Sequence, residues 1–93
     1  MKSAYELAME RLEQQSPTAQ LTEAQKAEIA EIDSTFKAKL AEREVFLRDQ
    51  IAKAEFEGRS LDAAELQDQL AREIRRINDD CEEKKERVRA QRQ

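Results

Sequence analysis

The chain has 93 residues, 41% of them charged and 39% hydrophobic, with one glycine, one proline, one cysteine and a formal net charge of −4. That length allows one small domain, and so few turn residues exclude an all-β or α/β fold, which would need many more. The negative balance also excludes the global basic field of a general nucleic-acid binder.

No apolar run approaches the ~20 residues of a membrane span. Glu6, Glu10 and Glu13 fall where a secretory signal would be apolar. One cysteine cannot form an internal disulfide, so the cytoplasm is the expected compartment.

Ser3-Ala4-Tyr5-Glu6 fits a capping box, in which hydroxyl and carboxylate each accept from the other residue's amide. It predicts a short helix over about 4–15. Tyr5, Ala8, Met9 and Leu12 share one face of that helix, and Leu7 lies off it. Pro17 ends it, because the residue before a proline avoids helical geometry. Residues 16–22 read as a linker.

Thr22-Glu23-Ala24-Gln25 is a second capping box. It opens a helix expected over about 23–57, roughly 50 Å long at 1.5 Å per residue. Gly58 stands where a residue with positive φ is wanted after a helix end. Ser60 is the expected N-cap of a third helix, about 61–90, with Asp62 in its first turn. Six acid-to-base pairs at i, i+4 support the long helices: Asp33/Lys37, Glu44/Arg48, Asp49/Lys53, Glu55/Arg59, Asp68/Arg72 and Glu83/Arg87. Each contributes only ~0.2–0.5 kcal/mol.

The apolar stripes of the two long helices decide how they are arranged. One runs Ile29, Ile32, Phe36, Leu40, Arg43, Leu47, Ile51, Ala54; the other runs Ala63, Leu66, Leu70, Ile74, Ile77, Cys81, Lys85, Val88. Both advance by steps of three, four and four, an eleven-residue period that favours straight helices over a left-handed supercoil. Paired from the glycine outward, Ala54 with Ala63 and so on to Ile29 with Val88, the residue numbers of every pair add to 117. Unrelated helices have no reason to share that centre. The expected fold is therefore all-α: a long antiparallel αα-hairpin turning at Gly58–Ser60, with a short N-terminal helix, in one domain.

Asp62-Ala-Ala-Glu-Leu-Gln-Asp-Gln-Leu70 resembles the second helix of the UVR hairpin, the short αα interaction module of the UvrB and UvrC repair proteins. The resemblance covers nine residues. Arg59-Ser60-Leu61 stands where that family has an aromatic residue, and the arms here are longer, so no functional residue is carried over.

The seam leaves apolar residues over. Leu47 takes the seam, Phe46 sits ~100° to one side and Val45 is nearly opposite. Ala38, Ala41, Val45, Ala52 and Phe56 form a second stripe. The first helix can fold back through Tyr5, Met9 and Leu12 to make a three-helix base, but only over the half of the hairpin far from the tip. The middle, near Phe46, then calls for a second chain, and a homodimer is expected, antiparallel or four-helix-like around the middle of the hairpin. The expected interface residues are Val45, Phe46 and Phe56, with Tyr5 and Met9 as core or interface.

The chain offers little catalytic chemistry. It has no histidine, which removes Ser-His-Asp and Cys-His catalysis and the commonest transition-metal ligand. Asp79-Asp80-Cys81-Glu82-Glu83 is densely acidic, yet five consecutive helical residues splay around the helix and cannot converge on one ion. No catalytic residue, metal or cofactor is expected. Cys81, opposite Phe36, reads as a small buried hydrophobe. Arg43 and Lys85 interrupt the seam, their stems covering the core, with Glu73 or Glu42 as partner for Arg43.

Lys84, Lys85, Arg87, Arg89 and Arg92 stand against Glu86 alone at the C-terminal end. The leading expectation is a non-enzymatic interaction or scaffold protein, binding itself or another protein. The alternative is nucleic-acid or ribosome association through Lys84, Arg87, Arg89 and Arg92, although no aromatic residue interleaves with them to stack a base.

Overall fold

The computed structural model describes residues 3–15 and 21–91, with the backbone alone over 12–15. The described residues form three helices and no strand: α1 (Ala4–Gln15), α2 (Glu23–Phe56) and α3 (Ser60–Ala90).

The antiparallel pairing reads directly in the burial. Of the sixteen stripe residues, Phe36, Leu47, Ile51, Ala54, Ala63, Leu70, Cys81 and Val88 are buried. The other eight, including Arg43 and Lys85, are half-buried. Leu47, Ile51 and Leu70 form the centre, with Leu66 and Ile74 packed against them. Toward the tip the pair becomes Ala54 and Ala63, both buried. Small side chains there let the backbones converge on the turn.

Gly58 has φ 73°, a left-handed conformation that costs an L side chain roughly 1–2 kcal/mol. The Arg59 amide donates to the Ala54 carbonyl at 2.8 Å and the Gly58 amide to Glu55 at 3.1 Å. These are the two bonds of a Schellman motif, which satisfies carbonyls that the helix end would leave open. The turn lies one residue earlier than the sequence suggests. α3 starts at Ser60 itself, Arg59 occupies the cap position, and no side chain caps it. Because the Schellman motif spends Arg59 as its last residue, the chain re-enters a helix at once, leaving Ser60 inside the first turn. The Arg59 guanidinium instead bridges Glu57 at 2.8 Å and Asp62 at 3.1 Å, so the expected Glu55/Arg59 pair is replaced by contacts across the turn.

At the open end the Thr22 capping box is complete: Thr22 Oγ1 accepts from the Gln25 amide and Gln25 Oε1 from the Thr22 amide. Gln25 then reaches further. Its Nε2 donates to the carbonyls of Val88 and Gln91, each at 3.0 Å. One side chain thus starts α2 and ties down the end of α3.

Ser3 stands just before α1, and its Oγ accepts from the Glu6 amide at 3.2 Å. Among the described residues, only α2 and α3 pack together. The described residues therefore show no three-helix base: Tyr5 and Met9 stay exposed, and the side chain of Leu12 lies outside them. Twelve residues are near the lower limit for a helix that stands by itself.

Candidate interaction surface

Among the described residues, seven large apolar side chains are exposed: Tyr5, Leu7 and Met9 on α1, Val45, Phe46 and Phe56 on α2, and Leu61 on α3. All five expected interface residues are among them. They do not form one patch. Val45 and Phe46 sit at mid-hairpin with 72% and 52% of their surface open, while Phe56 and Leu61 flank the tip at 93% and 87%. The distribution follows from the folding pattern. The seam consumes one stripe per helix, and consecutive residues such as Val45, Phe46 and Leu47 cannot all face one partner.

Phe46 is not bare hydrocarbon. The Arg43 guanidinium lies over its ring at 5.2 Å from the centroid, a cation–π arrangement. The same guanidinium donates through Nη2 to both carboxylate oxygens of Glu73, at 2.9 and 3.1 Å. Its Nε is buried without a hydrogen-bond partner. Arg43 therefore pairs across the seam as expected, at the cost of one unsatisfied donor, and ties Phe46 to α3.

The second seam cation, Lys85, has a side chain only 14% exposed, held by Glu82 at 2.8 Å and Asp33 at 2.9 Å. Hydrogen bonds to Glu82 and Asp33 raise its pKa above the ordinary lysine range. Its own hydrogen bonds lower both carboxyls below theirs. Cys81 donates its thiol to Asp33 Oδ1 at 3.6 Å, and burial pushes the thiol pKa up. A raised pKa means little thiolate, the opposite of what a nucleophile needs. An open groove of about 370 Å³ runs beside this cluster, lined by Phe36, Lys37, Leu40 and Asn78 among others.

The C-terminal cations are engaged within the chain. Arg87 pairs with Glu83 and Arg89 with Glu86. Lys84 lies over the Phe36 ring, 5.2 Å from its centroid. Arg92 falls outside the described residues. The acidic run at 79–83 thus serves partly as counterions to the cations after it. Sequence reading missed Gln25 as a cross-hairpin clamp. It also missed Leu61 as the counterpart of Phe56 at the tip, although their numbers add to 117 like those of the seam.

No helix among the described residues is long and apolar enough to cross a membrane, and no group of three or more Asp, Glu or Cys side chains among them is placed to hold a metal ion. No protein-family model, curated protein or solved structure matches the chain.

Proposed function

We infer that the protein is a non-enzymatic interaction or scaffold protein that associates with itself through the apolar residues its seam leaves over. One observation carries this reading: the hairpin completes its seam with its own sixteen stripe residues, yet Val45, Phe46 and the apolar face of α1 remain uncovered. A two-helix core of this size has little stability to spare, and covering a further large side chain returns ~1.5–3 kcal/mol. A second copy supplies that cover.

The test is Phe46→Glu, read by light scattering after size exclusion and by circular dichroism. The expected result is loss of self-association with helicity retained. An unchanged mass would remove Phe46 from the interface.

Nucleic-acid or ribosome association through Lys84, Arg87, Arg89 and Arg92 is the second reading. It has less support, because Arg87 and Arg89 already hold carboxylates of their own helix. Neutralising Arg87, Arg89 and Arg92 would abolish such binding and flatten its salt dependence.

A further inference from the structure

Two faces of this chain lack a partner, and the acid–base pairs that flank them, Glu6 with Arg11 and Lys37 with Glu42, fit one another in one orientation only. The first belongs to α1, where Tyr5, Ala8 and Met9 share a face with Glu6 on one flank and Arg11 on the other at 100° per residue. The second lies on α2, where Ala38, Ala41, Val45 and Ala52 face away from the seam with Lys37 on one flank and Glu42 on the other. All of these residues are exposed. In both cases the acid and base stand five residues apart, Glu6 to Arg11 and Lys37 to Glu42.

When two helices pack in parallel, each flank of one meets the opposite flank of the other. That places Glu6 against Lys37 and Arg11 against Glu42, both with an offset of 31 residue numbers. Antiparallel packing instead puts Glu6 beside Glu42 and Arg11 beside Lys37, and like charges repel. Sizes agree with the parallel offset. Tyr5 and Met9 then fall level with positions 36 and 40, over the gaps between Ser34, Ala38 and Ala41. Large side chains against small ones let two helices interdigitate.

The offset also identifies whose α1 this is. It sets Gln15 level with residue 46, ~35 Å along α2 from Glu23. The connection from Gln15 to Glu23 spans ~29 Å at full extension. A chain cannot lay its own α1 on its own α2 in this way. We propose that α1 of one copy packs parallel onto the outer face of α2 in a second copy, with Tyr5 and Met9 over Ala38 and Ala41, Glu6 against Lys37 and Arg11 against Glu42. The exchange gives α1 the partner it lacks in its own chain, and it covers the side of α2 on which Val45 lies. It rests on the self-association proposed above.

Cysteine pairing tests it on the full chain, since native Cys81 is buried and its raised pKa keeps it slow to react. A Met9→Cys chain mixed with an Ala41→Cys chain is expected to form an interchain disulfide under mild oxidation, well ahead of Met9→Cys mixed with Phe56→Cys. Equal rates for the two mixtures would overturn the proposal, as would a crosslink that forms only within a monomer carrying both changes. A wild-type dimer without the Met9/Ala41 crosslink would sink this arrangement and leave self-association standing. A wild-type monomer would sink both. Charge reversal is the second arm: Glu6→Lys with Arg11→Glu weakens association about tenfold, and adding Lys37→Glu with Glu42→Lys restores it. Failure of the four-fold variant to recover would contradict the parallel register.

Discussion

Gln25 and Val88 stand 63 positions apart in the chain and are joined by a hydrogen bond of 3.0 Å from the Gln25 side-chain amide to the Val88 carbonyl. With a second bond to the Gln91 carbonyl and the capping contact to Thr22, the amide of Gln25 uses its oxygen and donates twice. The open end of the hairpin is held there.

Replacing Gln25 by Ala removes both long-range bonds and half of the capping box. A loss of about 1–3 kcal/mol is expected from two long-range bonds at about 0.5–1.5 kcal/mol each, since the Val88 carbonyl still accepts from the Gln91 amide. Urea unfolding measures it, and hydrogen exchange should show α3 fraying from Val88 onward while the amides near Leu70 stay protected. Uniform loss of protection along α3 would show that Gln25 does not act locally.

The cluster of Lys85, Asp33 and Glu82 makes stability depend on acid. Both carboxyls have lowered pKa values in the folded chain. The unfolded chain therefore binds protons first as pH falls, and the stabilisation is full above the ordinary carboxyl range near 4. It is lost as pH drops through the folded values. Urea midpoints at pH 7 and pH 3 should differ, and Asp33→Asn should shrink that difference. The same variant at pH 7 should behave partly like wild type at pH 3.

Arg43 buries an unsatisfied Nε in a layer otherwise made by Ile74 and its neighbours. Arg43→Leu combined with Glu73→Met replaces the half-buried ion pair by hydrocarbon, which is often neutral or stabilising by about 1–4 kcal/mol, whereas Arg43→Leu alone leaves the Glu73 carboxylate unpaired. A raised urea midpoint is expected of the double variant. A fall would mean that the bonds to Glu73 outweigh the orphan donor.

Cys81 is buried with a raised pKa, so alkylation at pH 8 should be slow in the folded chain and complete within the same time in denaturant. Rapid labelling of the native protein would contradict the seam position of Cys81.

The hairpin was legible because its information is repetitive. Sixteen stripe positions on two arms share one period and one centre, and a register error would expose all of them together. Turn and end details depend on single backbone choices and were less legible. Ser60 looks like an N-cap by residue type, but the Schellman bonds to Ala54 and Glu55 let α3 begin one residue sooner. Gln25 reads as a capping residue, and nothing local says that its amide will reach α3. Asp33 sits four residues before Lys37, yet it pairs with Lys85 across the seam, where partial burial strengthens the attraction. The exposed apolar residues were identifiable as leftovers of the seam, but a stripe shows only that cover is missing. The proposed exchange takes its orientation from the charges that flank the stripe.

The most direct measurement is light scattering after size exclusion on the full chain, across a range of concentrations and at two salt levels. Self-association predicts a mass of twice 10.8 kDa that moves toward the single-chain value on dilution. A mass of 10.8 kDa at every concentration and salt level would contradict it.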